Sequence, residues 1–156
     1  MDVEKKKDLN RYRLSNIILL SLTASTWETL GETAFAFSGR MGKHVLDMME
    51  KEQGLEIAGE SPADVMREIG RLFVDEYGFC SKVDVEEDGD KYTVKVHNCI
   101  NRGFTDQLIA EGVKKPFICP IMNSCQAALR RMGYRMHETV EKWVDGKGSI
   151  ITFKAI

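Results

Sequence analysis

Lys82-Val83-Asp84-Val85-Glu86-Glu87-Asp88-Gly89-Asp90-Lys91-Tyr92-Thr93-Val94-Lys95-Val96-His97 reads as a β-hairpin. Val83 and Val85 alternate with Lys82, Asp84 and Glu86, and Tyr92, Val94 and Val96 alternate with Lys91, Thr93 and Lys95. A period of two is the mark of a half-buried strand. Between the runs, Asp88-Gly89 predicts a two-residue type I′ turn. That loop pairs Glu87 with Asp90, Val85 with Tyr92 and Val83 with Val94, and it sets Glu86 beside Lys91. Lys82 opposite Lys95 is the one poor match. Carried outward, the register places Cys80 opposite His97, with Cys99 two residues further on the same face. That is the polar face, which suits ligands better than core packing.

A second hairpin closes the chain, with Glu138 to Val144, a turn at Asp145-Gly146-Lys147-Gly148, and Ile150 to Phe153. The first half is helical. Leu14, Ile17, Ile18 and Leu22 recur at helical spacing, and Ser25-Thr26-Trp27-Glu28 carries the signals of a new helix start. From there Leu30, Ala34, Phe37, Met41, Val45, Met48 and Met49 trace one face to a stop at Gly54, interrupted by Gly31, Gly39 and Gly42. Each glycine removes a side chain where another backbone or a ligand can approach. Ser61-Pro62 opens a third helix that runs to Tyr77-Gly78. Between the hairpins, Phe104 to Ala110 and Gln126 to Met132 read as short helices. Three helices, a hairpin, further helices and a hairpin predict an α+β fold, with helices packed on a four-stranded antiparallel sheet.

The 156 residues fit one domain, read as 14–156 behind a charged extension at 1–13. A net charge of −2 gives no basic face for nucleic acid. The charged start lacks the form of a signal peptide, and Ile17-Ile18-Leu19-Leu20 is broken by Ser21 and Thr23, too short to span a bilayer. These features predict a cytoplasmic protein, where an even number of cysteines does not imply disulfides.

The four cysteines, Cys80, Cys99, Cys119 and Cys125, carry the most chemical potential in the chain. With His97 they form a candidate donor set for zinc, which favours thiolate and imidazole in a tetrahedron. The competing reading is packing, since cysteine behaves as a small hydrophobe. A helix beginning at Pro120 would separate the sulfurs of Cys119 and Cys125 by about 9 Å along its axis, too far for one ion. An extended Pro120–Met122 segment would let them converge. His44 and His137 read as surface or hydrogen-bonded residues.

Leu30-Gly31-Glu32, Phe37-Ser38-Gly39-Arg40-Met41-Gly42, Gly78-Phe79-Cys80, Asn98-Cys99, Phe117-Ile118-Cys119-Pro120 and Cys125-Gln126-Ala127-Ala128-Leu129, in that order, resemble a 4-vinyl reductase domain. Within that family the chain is similar to stand-alone archaeal members. The resemblance implies the fold of haem-binding nitric oxide sensors and of Golgi transport tether subunits, with a small-molecule pocket between helices and sheet. By its likeness to phenol-responsive activators it also implies a structural zinc held mainly by cysteines. Cys99, Cys119 and Cys125 map onto those metal cysteines, with His97 or Cys80 as substitutes for the acidic ligand missing here.

The leading expectation is therefore a domain that binds or senses an apolar or aromatic, hydrocarbon-like ligand beside a structural zinc. Phe35, Phe37, Met41 and His44 would line the pocket, with Gly39 and Gly42 giving access. The alternatives are a vinyl-reductase-type enzyme or accessory factor in tetrapyrrole metabolism, a homodimeric assembly module built on apolar helix faces, and haem binding. No nucleotide-binding fingerprint supports the reductase.

Overall fold

The hairpin forms, two residues out of the expected register. In the computed structural model, which describes residues 2–156, β1 (Lys82–Asp88) pairs with β2 (Lys91–His97) so that Val85 faces Val94 and Asp88 faces Lys91. The loop is Gly89-Asp90. Gly89 alone takes a positive φ, +60°, as the first central residue of a type II′ turn requires. A type I′ turn at Asp88-Gly89 would have forced Asp88 into the left-handed region, which a side chain disfavours. A slip of two preserves the faces, so Tyr92, Val94 and Val96 are still buried together.

The second hairpin, β3 (Met136–Trp143) and β4 (Gly148–Ala155), joins the first through β4, and the antiparallel sheet runs β1-β2-β4-β3. Tyr92 faces Phe153 and Val94 faces Ile151 across that central seam. The α+β architecture expected from the sequence is present. Among the described residues, the helices are α1 (Val3–Leu30), α2 (Phe37–Lys51), α3 (Pro62–Asp75), α4 (Arg102–Ala110) and α5 (Pro120–Arg131), with a 3₁₀ segment at Gly31–Ala36.

Several helix starts differ from expectation, α4 beginning at Arg102 and α5 at Pro120 where Phe104 and Gln126 were expected. Ser25-Thr26 begins nothing: α1 runs through it, and the Thr26 hydroxyl donates back to the Leu22 carbonyl. The break falls at Gly31, whose φ of +53° ends the helix where a side chain would be strained. At the other end α1 starts at Val3, so residues 3–13 of the charged extension are helical, laced by Glu4–Lys7 and Asp8–Arg11 pairs. α3 starts as expected, with Ser61 and Asp64 in a reciprocal capping box and Pro62 in the first turn.

The face that α2 buries is Ser38, Gly42, Leu46 and Met49, one position off the predicted stripe, and Phe37 and Met48 are exposed. Gly42 sets this rotation. A Cβ there would lie 1.9 Å from the Asn123 carbonyl oxygen, so α2 and α5 meet backbone to backbone. The main core lies between α2, α3, α5 and the sheet, and includes Leu46, Met66, Ile69, Leu72, Met122, Leu129, Val94, Ile151 and Phe153. A smaller cluster of Ala34, Leu108, Val113, Phe117 and Ile118 ties α4 to the 3₁₀ segment, with Leu20 and Trp27 of α1 against it.

Candidate functional site

The ladder between β1 and β2 breaks beyond Lys82–His97. The Ser81 amide donates to the His97 carbonyl at 2.9 Å and the Ile100 amide to the Phe79 carbonyl at 3.0 Å. Cys80 therefore faces two residues, Asn98 and Cys99, in a β-bulge with Asn98 at φ +50°. Lys82 and Ser81 likewise both meet His97, so each strand carries one extra residue and the alternation reverses on both. Cys80 and Cys99 turn into the core, and His97 remains on the opposite face of the sheet. There its Nε2 lies 2.8 Å from Asp84 Oδ2 and its ring packs edge-on against Trp143. The expected juxtaposition of Cys80 with His97 is thus replaced by Cys80 with Cys99.

The segment from Glu111 to Cys119 crosses from α4 to α5 and is pinned at Phe117. Its carbonyl accepts from the Ser38 hydroxyl at 2.9 Å and from Asn123 Nδ2 at 2.8 Å. This holds Ile118 and Cys119 against the sheet. Arg102, at the start of α4, donates from Nη1 to the carbonyls of Trp143 and Gly148, both at 3.1 Å, and from Nε to Asp106 at 3.3 Å. Those bonds lash α4 to the β3–β4 turn.

Between α4, this crossing segment, the first residue of α5 and strands β3 and β4 lies a cavity of about 230 Å³. Phe79, Phe104, Ile109, Ile118 and Val140 form its apolar walls, and Cys99 and Cys119 reach it from two sides. Asn101, Arg102, Thr105, Lys114, Glu141, Lys142 and Ser149 supply its polar groups. It opens where the two hydrophobic clusters meet, since Ile118 and Phe104 belong to the smaller and Phe79, Val140 and the two cysteines to the larger.

Every thiol is held protonated. Burial pushes Cys80 and Cys119 up to about 11, and it raises Cys99 and Cys125 as well. Neighbouring thiols add to this: Cys99 acts on Cys80, and both act on Cys119, against which the Met122 and Ile121 amides work in the other direction. Cys99 and Cys119 both line the cavity, and they pack with Cys80 against the same core. They are not a finished cage. Among the described residues no three His, Cys, Asp or Glu side chains come together to hold a metal. Because α5 begins at Pro120, Cys125 sits a turn and a half beyond Cys119, the helical geometry that separates the two sulfurs. His97 is engaged with Asp84 instead.

The expected pocket residues lie elsewhere. Phe35 and Met41 pack against the smaller cluster, where Phe35 stacks on Trp27 and Phe117 and carries Lys115 above its ring. Phe37 and His44 face solvent. Gly39 and Gly42 open α2 to Arg130 and to the α5 backbone, and neither lines the cavity described above. Sequence reasoning passed over Arg102, Phe104, Ile109 and Val140. The only signal was the four-residue spacing of Arg102 and Asp106, which marks a helix pair and not a pocket.

Among the described residues no helix is long and apolar enough to cross a membrane. No curated protein matches the sequence. Among solved structures, a trafficking protein particle complex subunit 3 from Naegleria fowleri, covalently bound to palmitic acid, aligns with a TM-score of 0.62 at 15% identity. That alignment covers 92% of this chain and 96% of that one. The phenol-responsive sensory domain of the transcription activator PoxR, with phenol, aligns at 0.56 and 18% identity, covering 90% and 74%. Both show the fold. The fold is the one that the resemblance to transport tethers and phenol sensors led us to expect. The 4-vinyl reductase family itself, however, is not the one that matches. Residues 15–156 match the family described as "Putative rubredoxin C-terminal domain", and the chain belongs to it.

Proposed function

We propose that this domain binds or senses a small, largely apolar molecule in the cavity between α4, α5 and the β3–β4 hairpin. The observation that carries the reading is the cavity itself, concave and apolar-walled with a few placed polar groups, which is the usual make-up of small-molecule sites. Both solved neighbours hold a small or lipid-like molecule, which agrees with the reading. Phenol in a thermal-shift titration tests it. At a hundred times its dissociation constant a ligand adds about 2.7 kcal/mol, which raises Tm by roughly 5–10 °C at this size. Thr105→Trp, which fills the cavity, should abolish the shift. An equal shift in that variant, or none in the native protein with phenol, benzoate or benzamide, overturns the reading.

A structural zinc is a second element of the proposal, supported by the neighbourhood of Cys80, Cys99 and Cys119. Their side chains would have to turn inward to reach the ~2.3 Å of a zinc–sulfur bond. Elemental analysis of protein purified without chelator tests this, and an essentially zinc-free preparation removes the metal.

A homodimer through α1 is a third. The helix is about 42 Å long, and Leu14, Ile17, Ile18, Leu19 and Leu22 are all exposed on it, Ile18 to 59% and Leu22 to 63%. Helices of that kind are ordinarily covered. An antiparallel partner centred near Ile17 would set Lys6 beside the other copy's Glu28, joining opposite charges. Light scattering should give twice the chain mass, and Ile18→Glu should halve it. A monomer at micromolar concentration refutes the pairing.

A further inference from the structure

We infer that the ligand of this cavity carries a small oxyanion, a carboxylate or its equivalent, received by Arg102. The inference rests on the cavity being a ligand site and names the chemistry of what enters it. Arg102 is half-buried against apolar walls and held by three bonds, to two strand-end carbonyls and to Asp106. Those bonds use Nε and Nη1. Nη2 has no partner among the described residues and is not among the polar atoms closed off from solvent, so a donor edge remains open.

A guanidinium fixed in this way is preorganised. It loses little further freedom when it binds, and its planar fork matches the geometry of a carboxylate. The open edge is where a ligand's own acceptor can take the place of solvent. Charge points the same way. Arg102 and Lys142 share one carboxylate, Asp106, with Lys142 Nζ at 2.8 Å from it. Lys114 adds a third cation to the lining, paired outward with Glu32. Glu141, the one acid of the lining, lies on the exposed side of β3. Thr105 and Ser149 offer hydroxyl donors nearby. The volume limits the body to something on the order of ten non-hydrogen atoms, taking ~30 Å³ for each water-sized unit. The class is therefore a short amphiphilic acid, apolar at one end and anionic at the other.

Benzoate and benzamide test this, being nearly identical in shape and differing in charge. Isothermal titration at neutral pH should find benzoate bound at least about tenfold more tightly, the range of a charged hydrogen bond over a neutral one. Arg102→Gln should erase the preference, bringing the two affinities within about twofold of each other. Lys114→Gln should keep most of the preference. Equal binding of the two ligands by the native protein overturns the anion and leaves the cavity reading intact. A preference lost in Lys114→Gln and kept in Arg102→Gln overturns the assignment to Arg102. If neither ligand binds and phenol also fails, the cavity reading itself has failed. Should Arg102→Gln not fold, the native comparison still decides whether an anion is preferred, and Arg102→Lys reads the fork, since a point charge should retain only part of the preference.

Discussion

Gly42→Ala is the most demanding test of how the helices meet. A methyl group there would lie 1.9 Å from the Asn123 carbonyl oxygen, 2.5 Å from its carbon and 3.1 Å from Ala127 Cβ. Carbon and oxygen need about 3.3 Å, so α2 and α5 would have to part by more than 1 Å. Neither atom of Asn123 can swing aside, because both are helix backbone. Separation would loosen Leu46 and Met49 of α2 from the main core, and overpacking of this kind costs about 1–3 kcal/mol. Alanine's better helix propensity returns about 1 kcal/mol. Because the obstacle is backbone, the upper end of the packing cost applies, and the net loss is about 2 kcal/mol, or roughly 4–8 °C in Tm. Two controls sharpen the comparison. Gly39→Ala meets only the end of the Arg130 side chain, which can move, and Gly103→Ala meets nothing within 4 Å. Both should be neutral or stabilising by up to about 1 kcal/mol. Urea denaturation followed by circular dichroism measures all three. A Gly42→Ala protein as stable as its parent would refute the close contact of α2 with α5.

Ser124 is fully buried and its hydroxyl has no partner among the described residues, so Ser124→Ala should hold or raise stability, by up to about 1 kcal/mol in urea titration. The Ser61 hydroxyl, followed by its amide and by Arg67, holds the Asp64 carboxyl below its usual range. A depressed folded pKa gives stability that is present above the unfolded value and lost as pH falls through the folded one. Ser61→Ala should therefore destabilise the protein at pH 7, and the gap to the native protein should narrow below about pH 4 as Asp64 protonates, with a remainder from the Asp64 amide's bond to the Ser61 hydroxyl; a gap constant with pH would refute the linkage. Peptide mapping after iodoacetamide should find Cys99, partly exposed at the cavity, labelled well before the fully buried Cys125. Equal labelling rates in the folded protein would contradict the placement of both thiols.

The period-two runs around Gly89 made the hairpin legible, and its side-chain faces survived even though the turn moved by two residues. Parity protected them. The site was harder to read, because it depends on an irregular ladder end with an extra residue on each strand. With Asn98 in the left-handed region, Cys80 and Cys99 share the core side. Without it, Cys80 and His97 would share the polar one. Asparagine tolerates that conformation better than most residues, yet nothing in a linear pattern says that it is used. The α2 stripe was misplaced by one position because Gly42, which has no hydrophobicity to score, carries the closest contact. Arg102 was invisible for another reason: its partners are carbonyls some forty residues away, and backbone acceptors leave no trace in composition.

The two hydrophobic clusters differ in size, with five fully buried residues in one and twenty-one in the other. Such a disparity divides a domain into units that open at different cost. Amide protons of α4, and of α1 where Leu20 and Trp27 rest on the small cluster, should exchange through partial opening, well before those of α5 and the central strands. A molecule lodged at the seam touches both units at once. It would raise the opening cost of the small one toward that of the whole, so that filling the cavity is felt along α1 as a loss of freedom, with no displacement of any atom required.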